Sequence, residues 1–260
     1  MKKLFAIIIA LLAVVLTSCL EEAGAPVTKE FAAGNNYDEL EISNAFDVYV
    51  DPAATAVTIT AGENLMQRVV VTQQEGTLKI YHEPFLSLHP GELKAIIPYS
   101  AALKSIDMSG AGSFHSPIPV AAEKVDIEIS GAARFLSDIA ADEVDFDLSG
   151  ACSFKGQVLA SKLDMEISGA AELDLTGHAD ALTLDVSGAC KMMDNVVDGM
   201  YSFMCNTCEG LASGACKLYI HCTESINVSL SGAGELHYTG SAATTGSSTS
   251  GASKIIHDVF

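Results

Sequence analysis

The tripeptide Ser-Gly-Ala occurs eight times, starting at Ser109, Ser130, Ser149, Ser168, Ser187, Ser213, Ser231 and Ser250, with successive starts 21, 19, 19, 19, 26, 18 and 19 residues apart. A period near 19, held over more than half of the 260 residues, requires one small supersecondary unit stacked on copies of itself. A globular core around a single pocket does not generate such a period. Function is therefore expected on a long repetitive surface or at its ends.

Superposing the repeats exposes the unit. Val125-Asp126-Ile127-Glu128-Ile129 is matched by Val144-Asp145-Phe146-Asp147-Leu148, Leu163-Asp164-Met165-Glu166-Ile167 and Leu182-Thr183-Leu184-Asp185-Val186. Strict alternation is the mark of a β-strand with one apolar and one solvated face, and no helix buries that pattern. Each Ser-Gly-Ala follows as a corner where a large side chain collides and where glycine permits an unusual backbone. Beyond each corner an apolar residue (Phe114, Phe135, Phe154, Leu173, Met192, Leu218, Leu236, Ile255) opens a second strand, and Ile139, Val158, Val196 and Cys222 supply a third apolar position. Like positions stacked about 4.8 Å apart build aliphatic ladders, and seven steps make roughly 34 Å of rod. The expected fold is all-β, a single-stranded right-handed parallel β-helix, or solenoid, with rungs of about 19 residues. A left-handed helix of hexapeptides has an apolar residue at every sixth position, and that sub-period is absent here.

Residues 39–260 are assigned to the β-helix, with 104–255 as the Ser-Gly-Ala rungs. Residues 39–103 lack the tripeptide but alternate in the same way, as in Phe46-Asp47-Val48-Tyr49-Val50, Val57-Thr58-Ile59-Thr60 and Leu78-Lys79-Ile80-Tyr81. They are expected to form irregular opening rungs and a cap, because an open solenoid end exposes strand edges to other chains. At the far end, Ile255-Ile256 and Phe260 read as a last rung with an apolar plug.

The first 18 residues read as an export signal: Lys2 and Lys3, an apolar run from Leu4 to Leu16, then Leu16-Thr17-Ser18-Cys19. The run is too short to span a bilayer comfortably. Leu-Thr-Ser-Cys resembles the lipobox of bacterial lipoproteins, which implies cleavage before Cys19 and acylation (palmitate among the chains) at that residue. Two or more acyl chains anchor a protein stably without crossing the membrane. Residues 19–38 would form a lipidated tether, and Leu20-Glu21-Glu22 resembles the acidic tract that directs many Bacteroidetes lipoproteins outward. The expected location is the outer membrane, lipid-anchored, on the cell surface or the periplasmic face.

Acidic residues number 33 against 14 basic ones, a net charge of −19 that becomes −21 once Lys2 and Lys3 leave with the signal. This argues against nucleic acid as a partner and against docking onto anionic lipid through the protein surface. Repulsion from other anionic surfaces, recruitment of divalent cations and simple solubility all fit it.

An ordered series of motifs resembles a known family. The run Ile42-Ser43-Asn44-Ala45-Phe46-Asp47-Val48, then Leu65 and Val69-Val70-Val71, then Gly76-Thr77-Leu78-Lys79-Ile80, then Leu103-Lys104-Ser105-Ile106-Asp107-Met108-Ser109-Gly110-Ala111-Gly112 is similar to the auto-transporter adhesin head known as the GIN domain. The resemblance covers roughly Glu39 to Tyr238. It implies a right-handed β-helix at the cell surface or in the periplasm, and it carries over no catalytic residue. The long spacing after Ser187 and the number of cysteines depart from the pattern.

Outward positions before the corners form an acidic column of Asp107, Glu128, Asp147, Glu166 and Asp185, with Asp126, Asp145 and Asp164 as a second column two residues upstream. Carboxylates one strand spacing apart repel, so the face either takes cations such as Ca²⁺ or is held open by full solvation. The Gly-Gly-x-Gly-x-Asp turns of Ca²⁺ solenoids are absent, and full solvation is the favoured account. Acid columns on a β-helix also resemble those of pectin-degrading enzymes. An active site should break the repeat, however, and the basic residues read as scattered, with Arg68 and Arg134 the two arginines.

Cys152, Cys190 and Cys216 follow Ser-Gly-Ala directly and read as small interior hydrophobes, and a bridge between Cys190 and Cys216 fits consecutive repeats. Cys205-Asn206-Thr207-Cys208 lies in the lengthened rung and is open to three readings: a local disulfide, half of a metal site, or a redox pair. A structural bridge or free thiols is preferred over metal. His82, His89, His115, His178, His221, His237 and His257 fall at differing repeat positions and read as scattered surface histidines. No catalytic, metal or cofactor site is assigned, and Cys19 is the single site residue, for lipidation.

The expected function is therefore that of a non-catalytic envelope lipoprotein whose rod displays an adhesin-like or glycan-contacting surface. Partners would be the membrane, through the anchor, and an extracellular glycan or a protein on a host or neighbouring cell. A polysaccharide-degrading β-helix enzyme and a purely structural envelope protein are the alternatives. Nothing in the sequence sets an oligomeric state.

Overall fold

A computed structural model describes residues 24–84 and 91–260. The signal, the lipobox, Cys19 and His89 lie outside the described residues. Among the described residues, twenty strands join one continuous sheet, and two short ones, Val196–Val197 and Met200–Tyr201, pair with each other as a separate hairpin.

The repeats stack in parallel and in step. The Val120–Gly131 strand pairs with Ile139–Gly150, which pairs with Ser153–Gly169, which pairs with Glu172–Gly188, and each Ser-Gly lies opposite the next Ser-Gly. This is the stacked coil of a parallel β-helix, with about eight turns of about 19 residues. Alternation drives it, since every other residue of each strand enters one shared core. There Phe114, Phe135 and Phe154 stack with ring centroids 5.0 and 5.3 Å apart, and Leu173, Leu218 and Leu236 continue the same buried column. Stacking of like rings adds to the area burial that holds neighbouring rungs in register.

Corner chemistry follows from the same stacking. At Gly150 the backbone turns with φ +94°, and a Cβ there would lie 2.4 Å from the Gly131 carbonyl oxygen of the rung before. Only a residue without a side chain fits. With the chain so close, each corner alanine donates its N–H to the corner below: Ala132 to Gly110 at 2.7 Å, Ala151 to Gly131 at 2.7 Å and Ala170 to Gly150 at 2.6 Å. The eight tripeptides thus form one hydrogen-bonded spine, and a ninth corner precedes them. Ser43 lies opposite Ser109 and Asn44 opposite Gly110, Asn44 has φ 74°, and Ala111 donates to the Asn44 carbonyl at 2.9 Å. Asparagine tolerates the left-handed conformation better than other residues with a side chain, which let it stand in for glycine and hid the corner from a search for the tripeptide.

The opening holds two rungs. Strands Glu39–Asn44 and Asp47–Asp51 pair in parallel with Ser105–Gly110 and Ser113–His115 on one side and with Thr77–His82 and Leu93–Pro98 on the other, so the later segment 77–98 stacks outside the earlier one. Around these rungs, Val57–Gly62 pairs antiparallel with both Pro26–Phe31 and Leu93–Pro98, and Val69–Gln74 pairs antiparallel with Thr77–His82. Among the described residues the first strand is Pro26–Phe31, inside the stretch 19–38 expected to act as tether. A one-turn helix, Glu63–Met66, buries Leu65 and Met66 in this cap.

Two interior assignments need correction. Val196 is 43 % exposed in the hairpin, and the inward place of its rung goes to Phe203, opposite Gly177. Cys222 is buried, yet it lies opposite Cys205 and hence in line with Ala179, not with Val158. The seven added residues after Ser187 have left the rod as a hairpin without widening the rung.

Candidate functional site

Because the strand before each corner is held in step by the spine, its outward side chains must stack. Asp107, Glu128, Asp147, Glu166 and Asp185 are consecutive register partners, as are Asp126, Asp145 and Asp164. Both columns thus lie on one face, along a shallow groove of about 430 Å³. Glu41 heads the first column and Leu211, 58 % exposed, ends it.

The two columns differ in charge compensation. Lys124 reaches Asp126 at 3.1 Å and Asp145 at 2.6 Å, and Lys162 pairs with Asp164, whose Oδ1 is out of solvent with no hydrogen-bond partner. The Lys-x-Asp spacing in those strands was a readable signal of this pairing. In the first column Lys79 pairs with Glu41, while Glu128, Asp147, Glu166 and Asp185 make no ion pair among the described residues. Burial, aided by Glu41, pushes the Asp107 carboxyl above its ordinary value against the pull of Lys79. Asp107, burial and Asp147 together push Glu128 up. Among the described residues no group of three or more His, Cys, Asp or Glu converges as metal ligands would, since parallel stacking keeps the carboxylates side by side.

The basic residues are not scattered. Arg134, Lys191, Lys217 and Lys254 fall in one outward column of the face beyond the corners, with Lys155 two positions over. Acids sit between them, giving inter-rung ion pairs Lys155–Asp174 at 2.7 Å and Lys217–Glu235 at 2.9 Å, and a longer Lys191–Glu172 contact at 3.9 Å. Arg134, Lys191, Lys217 and Lys254 each lie four residues after the serine of their Ser-Gly-Ala, so the column was legible in the sequence.

Several histidines are also more organised than a scattered surface set. His115 stacks on Tyr49 at 4.6 Å, His237 on Tyr219 at 4.9 Å and His257 on Tyr238 at 4.6 Å. Ser113 joins Asp47 to His115, donating to the carboxylate and lying 2.9 Å from His115 Nε2. The serine occupies the middle of that relay and is 5 % exposed, whereas an activated nucleophile needs histidine in the middle and an open face. At the far end Asp258 accepts from Tyr201 at 2.6 Å and lies 2.8 Å from His237 Nδ1, and Phe260 packs edge-on against Tyr201. This ties the hairpin to the chain terminus. An apolar cleft of about 340 Å³ lies beside the hairpin, lined by Val197, Met200, Tyr201 and Met204.

Cys152, Cys190 and Cys216 are buried free thiols after the corners, as interior hydrophobes should be. Cys205 and Cys208 are likewise free and buried in one continuous strand, Phe203–Gly214.

A family model described as "Putative auto-transporter adhesin, head GIN domain" matches residues 36–242. No curated protein matches the chain. Among solved structures, a "putative lipid binding protein" from Parabacteroides distasonis is similar over 90 % of this chain and 97 % of its own, with TM-score 0.70 and 21 % identity. A "putative adhesin" from Parabacteroides merdae covers 93 % and 100 %, with TM-score 0.66 and 17 % identity. One from Bacteroides fragilis covers 92 % and 100 %, with TM-score 0.63 and 18 % identity. At these identities the likeness concerns the fold.

Proposed function

The chain belongs to the auto-transporter adhesin head GIN domain family, and from that premise we propose that it is a non-catalytic lipoprotein of the cell envelope, anchored through Cys19, whose rod makes adhesive contacts with glycans or with proteins of another surface. The observation that carries the reading is the register of the outward columns. A flat face repeating rung by rung offers many equivalent weak contacts, and their combined avidity can exceed any single affinity by orders of magnitude. Catalysis calls for a local break in such a pattern, where a few groups converge on one reacting bond.

The test is binding of the soluble chain from Glu21 onward to a glycan and extracellular-matrix array, with and without Ca²⁺, while the polysaccharides are monitored for cleavage. Saturable binding without cleavage is expected. Loss on chelation would make the first acidic column a cation site, and cleavage would replace the adhesin by an enzyme. A second reading rests on the apolar cleft beside the hairpin together with the neighbour described as lipid binding. Quenching of a fluorescent fatty acid by the purified chain, abolished by Met200→Asp, would favour it. Among the described residues no helix is long and apolar enough to cross a membrane.

A further inference from the structure

The lengthened rung and the one after it return out of step. Cys205 lies opposite Cys222, but the next paired positions are Thr207 and Ser225, so one strand has one residue between them and the other has two. Where the rungs stack in regular register, side chains are held one strand spacing apart, about 4.8 Å. A disulfide needs Cβ atoms about 3.8 Å apart. Regular stacking therefore disfavours a bridge between Cys190 and Cys216, whose rungs are joined by the Lys217 N–H to Cys190 carbonyl bond of 2.8 Å. At the irregular step the constraint is relaxed.

Two cysteines occupy this step. Cys205 and Cys222 are direct register partners, and Cys222 Sγ lies 3.3 Å from the Asn206 carbonyl and 3.4 Å from the Ser225 carbonyl, residues at the shift itself. Both cysteines are sealed in the rod, at 1 % and 0 % exposure. Cys208 stacks in a different column, between Leu182 and Ile226, which removes it as the natural partner of Cys205.

We propose that Cys205 and Cys222 are joined by an inter-rung disulfide in the exported protein, a covalent staple beside an irregular step between Ser-Gly-Ala rungs. This rests on the envelope reading above, because such a bond persists only in an oxidising compartment. The oxidant is a protein or low-molecular-weight disulfide of that compartment. The Cys222 thiolate attacks one of its sulfurs, forming a mixed disulfide and expelling a first thiolate. The Cys205 thiolate then attacks Cys222 Sγ and expels the second. Two cysteine thiols become one disulfide, and the donor disulfide becomes two thiols, which carry the two protons. Since the mature interior is closed, the exchange takes place while the rungs are closing.

The full chain, expressed with its leader and recovered from the envelope fraction, is denatured in iodoacetamide without reductant, digested and examined by mass spectrometry. We expect one linked pair of peptides, containing Cys205 and Cys222, with Cys152, Cys190, Cys208 and Cys216 alkylated. Reduction should lower the melting temperature by about 6–12 °C, the scale set by a closed loop of this length in a chain of this size, and Cys208→Ser should leave that shift intact. Full alkylation of Cys205 and Cys222 in the envelope protein, or a link from Cys205 to Cys208, would overturn the staple. If the protein is absent from the envelope, the localisation reading is what fails. Refolding the purified full chain in a glutathione redox buffer then decides the pairing independently: the same linked peptides sustain it, and alkylation of both Cys205 and Cys222 overturns it.

Discussion

The face before the corners and the face after them share one backbone spine yet carry charge in opposite ways. Before the corners, like charges stack: Glu128 is pressed by Asp107 and Asp147. After the corners, unlike charges alternate, and Lys155 and Lys217 each hold a carboxylate of the next rung. The register cannot come from the outer charges, because one face would oppose it. It comes from the corner hydrogen bonds and the interior ladders, which leaves the outer positions free to serve something other than stability. The first acidic column uses that freedom most, and it is where an adhesive or cation-dependent role should be sought.

Breaking the spine should abolish the contrast altogether. Gly150→Val forces a side chain to within 2.4 Å of a carbonyl at positive φ, and we expect a loss of 4 kcal/mol or more, or failure to fold, in urea denaturation. Asn44→Gly, at the corner that already departs from glycine, should change the midpoint by less than about 1 kcal/mol. Next in size is the interior shared by both faces: Phe154→Ala opens the phenylalanine ladder and should cost about 3–5 kcal/mol by the same measurement.

pH separates the faces by sign. Asp107, raised first by burial, and Glu128, raised first by Asp107, have folded pKa values above their unfolded ones. Folded protein therefore binds the extra proton, and their contribution grows as pH falls from neutral through the raised values, becoming complete below the ordinary carboxylate range. Asp174 and Glu235 are held low, chiefly by hydrogen bonds from Lys155 and Lys217. Their contribution is present above the ordinary range and is lost as pH falls through their lowered values. A stability profile should rise on mild acidification and fall on stronger acidification, with Glu128→Gln flattening the first limb and Asp174→Asn the second. A profile unchanged by both variants would remove the electrostatic contrast. The smallest effect is expected for Lys155→Met, whose ion pair is solvent-screened. It should shift the melting midpoint only marginally, and less still in high salt.

The rung length, the strand before each corner, the corners themselves and both acidic columns were all legible in the sequence. Each depends on spacing within one repeat, and period-two alternation with a fixed return to Ser-Gly-Ala leaves one way to stack. What lay beyond the sequence depends on which distant segments meet. The pairing of Ser43 with Ser109 spans a segment that holds both parallel rung strands and antiparallel ones, and alternation, common to both, could not tell them apart. The charge ladder after the corners keeps a fixed offset from Ser-Gly-Ala and could be read from spacing, whereas the meeting of Cys205 with Cys222 lies beside a one-residue slip between neighbouring rungs. Local periodicity determined that this chain is a stack. Only the tertiary structure decided which residues of the irregular rungs share a level, because that is set by close packing and hydrogen bonding between segments that carry no common spacing.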